Sequence, residues 1–97
     1  MHKRKLPRMQ LKAEAEIIHN DIVIKGEIDN LSLTGIFVKT AEYIETNTDV
    51  EVIIYLGKIE KQVSIQIKGK INRSGENGIG IQFTDSEINK KLSKAFI

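Results

Sequence analysis

Apolar residues fall at every second position in a succession of short runs, and this alternation most narrows the folds open to the chain. A strand turns successive side chains to opposite faces, so a two-residue period marks a strand with one buried face. Leu11, Ala13, Ala15 and Ile17 share one face of a first predicted strand, and Ile22, Ile24, Gly26 and Ile28 share one face of a second. His19-Asn20-Asp21 between them has the composition of a hairpin turn. Residues 35–39 (GIFVK) read as a short third strand, and residues 40–48 as a polar, irregular loop or brief helical turn. Val50, Val52, Ile54 and Leu56 define a fourth strand that ends at Gly57-Lys58. The longest run is Val63, Ile65, Ile67, Gly69 and Ile71, where the internal glycine predicts a bend or bulge. A turn over residues 74–78 then leads into Ile79, Ile81 and Phe83 as the sixth strand.

Near the C-terminus the period changes. Ile88, Leu92, Ala95 and Phe96 form a rough helical stripe, with Ser86 in position to cap it. Six short strands, tight turns and one closing helix predict an all-β fold with one terminal helix, a small antiparallel barrel. A chain of 97 residues suits one modest core. The expected organisation is an N-terminal arm over residues 1–12 followed by the barrel and helix over residues 13–97. Charge divides at the same point. Five of the 15 basic residues (Lys3, Arg4, Lys5, Arg8 and Lys12) lie in the arm without an acid, which leaves ten against 13 acids in the rest. A cationic arm on a mildly acidic body points to an anionic partner.

Several classes of function find no residues to carry them. Without cysteine there is no disulfide or thiolate metal site, which fits a reducing compartment. No apolar run approaches the roughly 18 residues that span a bilayer, and residues 1–12 lack the apolar segment of a signal peptide. The expectation is a soluble, cytoplasmic protein with no membrane partner. His2 lies in the arm and His19 in a turn, neither with a serine or cysteine nucleophile beside it. Glu14, Glu16, Lys25, Glu27 and Asp29 take the outward register of their strands, where a solvated face is the default. Gly78-Ile79-Gly80 precedes a strand rather than a helix, so it serves a turn and a close backbone approach rather than a phosphate loop. A catalytic function is therefore not expected, nor a metal.

Two segments remain. Arg4 and Arg8 stand in an Arg-x-x-x-Arg spacing, with Pro7 between them fixing one backbone dihedral. Twenty-two residues beyond Arg8 comes Asn30-Leu31-Ser32-Leu33-Thr34-Gly35, an amide, a hydroxyl and a glycine between the second and third strands. A guanidinium fork can make paired hydrogen bonds to a phosphate or to the acceptor edge of guanine. A small guanine nucleotide is the first ligand to consider.

In this order, ahead of and within a six-strand pattern, the two segments resemble the PilZ domain family, bacterial receptors for the second messenger cyclic di-GMP. The family pattern is Arg-x-x-x-Arg before the barrel, then (Asp/Asn)-x-Ser-x-x-Gly between the second and third strands. Gly35-Ile36-Phe37-Val38 and the closing strand Gly78-Ile79-Gly80-Ile81-Gln82-Phe83 match as well, so the resemblance covers practically the whole chain. It implies a six-stranded PilZ-type β-barrel that binds cyclic di-GMP as ligand, needs no cofactor, and signals to a partner protein through its arm. It also implies that Arg4 and Arg8 grip guanine or phosphate, that Asn30 faces the guanine edge, and that Ser32 bonds base or phosphate. Gly35 then allows a close approach of ligand or arm, or holds a positive φ. Lys3, beside Arg4, adds charge for the phosphates, as Lys5 does. Arg73 is a further cation, set aside from the site; Asp29 is left out because a regular strand turns it to the other face. The alternatives are a small barrel that binds nucleic acid through its basic arm, or an interaction module that keeps the barrel without the nucleotide. With Phe37 and Phe83 expected inward, no aromatic stripe supports nucleic acid.

Overall fold

A computed structural model describes residues 13–58, 61–87 and 90–91. Its six strands are β1 (Glu14–His19), β2 (Ile22–Leu31), β3 (Gly35–Lys39), β4 (Asp49–Lys58), β5 (Lys61–Ser74) and β6 (Ile79–Phe83). They close into a barrel in the order β1-β2-β3-β6-β5-β4, with every neighbouring pair antiparallel. The alternation predicted a six-stranded antiparallel barrel, though not this strand order, because each strand has one apolar face and the closed ladder turns all of those faces to one interior.

Ile17, Ile54, Ile67, Ile71, Ile79, Val38 and Val52 are fully buried. β-branched side chains suit a pleated surface, and each isoleucine withdrawn from water contributes roughly 1.5–3 kcal/mol before entropy is counted. The β1–β2 hairpin is tight: His19 pairs with Ile22, and Asn20 at φ 58° begins the turn. Ile22 is exposed there (56%), so the inward face of β2 begins at Ile24 and not at Ile22. Residues 40–48 form a loop rather than a helical turn. Ile44 from this loop is buried, and its N–H donates to Ser74 Oγ at 3.2 Å. The Asn47 N–H donates to the Ile71 carbonyl (2.7 Å), which ties the loop to β5.

The expected bulge in β5 exists, but not at Gly69, which pairs in register with Phe83. A Cβ at Gly69 would sit 2.5 Å from Ile81 Cγ2, so this glycine permits close packing across the barrel. The register shifts instead between Ile71 and Arg73, and a second shift lies between Ile28 and Asn30 in β2.

After β6, the Glu87 N–H donates to Asp85 Oδ1 (2.9 Å), so Asp85 rather than Ser86 caps the following turn. The Lys91 N–H donates to the Glu87 carbonyl, and Lys90 and Lys91 have helical conformation. The remainder of the predicted terminal helix lies outside the described residues. Lys91 Nζ bonds Asp85 Oδ2 (2.7 Å), and together with the cap this holds the Asp85 carboxyl below the usual carboxylate range.

Candidate functional site

The two bulges decide what the outer wall of the barrel presents. In β2, Ile24 and Ile28 face inward, and unbroken alternation would send Asn30 inward as well. The extra residue at the bulge prevents this. Ile28 pairs with Val38, Asn30 with Phe37 and Leu31 with Ile36, so Asp29 and Asn30 together oppose Phe37. Both are exposed, while Leu31 returns to pack on the core. The same happens in β5, where Ile71 pairs with Ile81 and Arg73 with Gly80, leaving Asn72 and Arg73 together outside. The premise that excluded Asp29 therefore fails, because β2 is irregular at that residue.

Asn30, Phe37, Gly80 and Arg73 thus form one rung across β2, β3, β6 and β5. They line an open groove of about 500 Å³, together with Ser32 and Gln82. Phe37 is half-buried on the outer wall, since Ile36 and Val38 beside it occupy the interior; it is not the inward residue expected. Its ring lies against two glycines. A Cβ at Gly78 would meet the ring at 2.7 Å, and one at Gly80 would stand 3.1 Å from Asn72 Oδ1 and 3.4 Å from Arg73 Cβ. Bare backbone at Gly80 keeps the floor of the groove open between the aromatic ring and the arginine. The Arg73 guanidinium lies 5.8 Å from the Phe37 ring centroid, within cation–π range.

Ser32 and Gly35 build the rim. The Ser32 N–H donates to the Gly35 carbonyl (3.0 Å), and the Thr34 N–H donates to Ser32 Oγ (3.2 Å). Ser32 Oγ is also 3.0 Å from Thr34 Oγ1. Ser32 therefore shapes the β2–β3 turn with its own hydroxyl while standing exposed on the groove. Gly35 does not hold the positive φ offered as one of its two roles. The close approach at its Cα is made by the Ile81 carbonyl of β6, 2.4 Å from where a Cβ would stand.

Of the residues expected in the site, the fold brings Asn30, Ser32 and Gly35 together. Lys3, Arg4 and Arg8 lie outside the described residues. The chain does enter the barrel beside the groove: the Ile28 N–H donates to the Ala13 carbonyl at 2.9 Å, two residues from Asn30. Phe37, Gln82 and Arg73 line the groove although sequence reasoning left them out. The signal for Arg73 was Asn72-Arg73, two consecutive polar residues that break the alternation of Ile67, Gly69 and Ile71. For Phe37 the available signal was its two apolar neighbours, Ile36 and Val38, which take the opposite face of the strand.

Another depression, of about 620 Å³, borders His19, Asp49, Glu51, Lys68 and Gly69. Its acids are already engaged: Asp49 pairs with Lys70 at 3.2 Å, and Glu51 accepts from Gln66 Nε2 at 2.7 Å. Among the described residues no group of three or more His, Cys, Asp or Glu is placed to hold a metal ion, and no helix is long and apolar enough to cross a membrane.

A comparison with curated proteins gives no match. A family model described as PilZ domain matches residues 2–97, essentially the whole chain, and on that ground the chain belongs to the PilZ domain family.

Proposed function

We propose that this domain is a non-catalytic receptor that takes cyclic di-GMP into the groove between β2 and β5 and reports it to a partner protein. PilZ domains are generally cyclic di-GMP-binding domains, and they are binding or adaptor modules rather than enzymes. The observation that carries the reading to this chain is that the N-terminal segment enters the barrel at Ala13, bonded to Ile28 two residues before Asn30 on the groove. Arg8 is five residues from Ala13, a reach of up to about 17 Å when extended, and Arg4 reaches further. Both are therefore within range of a ligand in the groove.

In this proposal Arg4 and Arg8 close on guanine or phosphate from above, with Lys3 adding charge. The Asn30 amide reads a guanine edge, donating or accepting without a charge of its own. Ser32 has already committed lone-pair capacity to its turn, so its contribution to ligand is smaller than that of the arginines. The switch consists in residues 1–12 changing conformation on the bound nucleotide, which alters the shape and charge a partner meets. Such coupling requires that the ligand bind the closed form better than the open one.

Calorimetric titration with cyclic di-GMP tests the binding, with single-stranded oligonucleotide at two salt concentrations as the comparison. Arg4→Ala and Arg8→Ala are each expected to cost on the order of 1–3 kcal/mol of affinity, the scale of a good bidentate base contact. Wild-type affinity in both variants would remove the clamp. Equal hydrogen exchange in residues 1–12 with and without ligand would remove the switch and leave the binding.

A further inference from the structure

Arg73 stands at the far end of the rung from Asn30, three strand spacings or roughly 14 Å away along the sheet. Among the described residues it makes no ion pair, and it is exposed. Its guanidinium is nevertheless placed, lying over Phe37, whose ring is itself seated on Gly78 and Gly80. It borders both the main groove and a smaller depression of about 200 Å³ beside the turn over residues 75–78. A planar cation held within cation–π range of an aromatic ring still has a flat face to offer another flat group.

We propose that Arg73, held within cation–π range of Phe37, is a stacking and specificity-determining residue for a second purine base, at the end of the groove away from Asn30. This rests on the proposal that the groove takes cyclic di-GMP, a ligand with two bases. One base meets the Asn30 and Ser32 rim, and the other lies flat on the Arg73 guanidinium. Phe37 is a positioning residue in this arrangement, holding the guanidinium plane without touching the ligand. Gly80 matters because a side chain there would enter the space between Asn72 Oδ1, Arg73 Cβ and the Phe37 ring. Lysine in place of arginine keeps the charge but offers no flat face.

The test is calorimetry with cyclic di-GMP on the wild-type chain, Arg73→Ala, Arg73→Lys and Phe37→Leu, each at two salt concentrations and each checked for folding by thermal melting. Arg73→Ala and Arg73→Lys are both expected to weaken binding about tenfold, the scale of one lost stacking contact. Arg73→Lys should retain the wild-type salt dependence while Arg73→Ala loses part of it, a split that a merely structural role would not produce. Phe37→Leu should weaken binding by a smaller factor. Full affinity in Arg73→Lys would reduce the residue to a point charge and overturn the stacking role. Full affinity in both Arg73 variants, with the wild-type chain binding, would overturn this inference alone. No binding by the wild-type chain would sink it together with the cyclic di-GMP proposal.

Discussion

The two walls of the barrel are built from the same kind of strand and end with opposite surfaces. Around β1 and β4 the ladder is unbroken, with ten consecutive pairs between β4 and β5 alone. There the outward polar residues serve one another: Glu16 accepts from Tyr55 and pairs with Lys25, Glu51 accepts from Gln66, and Asp49 pairs with Lys70. Around β3 and β6 the ladder is bulged on both flanks. Among the described residues the side chains of Asn30, Asn72 and Gln82 have no hydrogen bond within the protein. Regular pairing sets polar neighbours one to one across strands, where they satisfy each other. A bulge sets two outward residues against one, and here the ones opposed are Phe37 and Gly80, which offer no polar partner. Asn30 and Asn72 are thereby left without a polar partner across the ladder, whereas Gln82 stands in regular register between Gly35 and Lys70.

The largest effect that can break this contrast is a comparison of interior and groove. Ile67 is fully buried in the regular part of β5, and Ile67→Ala should cost about 2–5 kcal/mol of stability in urea denaturation. Asn30→Ala and Gln82→Ala should each change stability by no more than about 0.5 kcal/mol, since neither side chain holds another. If Gln82→Ala destabilises as Ile67→Ala does, the groove residues are structural and the division between the walls fails.

Two glycines of one turn sharpen the same contrast at smaller scale. A Cβ at Gly78 would stand 2.4 Å from the Val38 carbonyl and 2.7 Å from the Phe37 ring, and backbone cannot yield cheaply there. Gly78→Ala should therefore cost about 1–3 kcal/mol, read from the shift in urea midpoint. Gly75, three residues earlier, has nothing within 4 Å of that position. Gly75→Ala should be neutral or stabilise by up to about 1 kcal/mol, through the unfolded chain. Equal costs at the two positions would mean that Phe37 is not seated on the turn as described.

These residues also show what a sequence discloses and what it withholds. Strand existence and most of the interior set followed from the two-residue period, with Ile22 and Phe37 as exceptions, because burial on one face leaves that pattern in any register. Asn30, Ser32 and Gly35 were legible as a group because one turn holds them together. Arg73 and Phe37 were harder, since their meeting depends on β5 and β3 each pairing with β6 and on where β5 adds its extra residue. A bulge is invisible to a count of apolar residues on one face. It appears only as two polar residues in succession, Asp29-Asn30 and Asn72-Arg73, between positions that must both turn inward. At Gly35 the neighbour that excludes a side chain is the Ile81 carbonyl, 46 residues away in sequence and therefore not legible from the turn itself.

The smallest predicted effect lies on the regular wall and tests whether its polar groups are coupled. The Tyr55 hydroxyl donates to Glu16 Oε1 at 3.2 Å, and Glu16 Oε2 is 3.8 Å from Lys25 Nζ. Desolvation, the Glu16 charge and that hydrogen bond all push the Tyr55 phenol above its ordinary value of 10.0. Ionising it in the fold would place a phenolate beside a carboxylate. Below the ordinary phenol value both folded and unfolded chains keep the proton, and the interaction stabilises fully. As pH rises past that value the unfolded chain releases its proton first, so stability falls through the alkaline range until the folded phenol also ionises. Urea midpoints measured from pH 8 to pH 11 should therefore decline for the wild-type chain and decline less for Tyr55→Phe, with Glu16→Gln between them. Parallel slopes in all three would show that cross-strand pairing on this wall is proximity without coupling, and its contrast with the groove would then rest on the bulges alone.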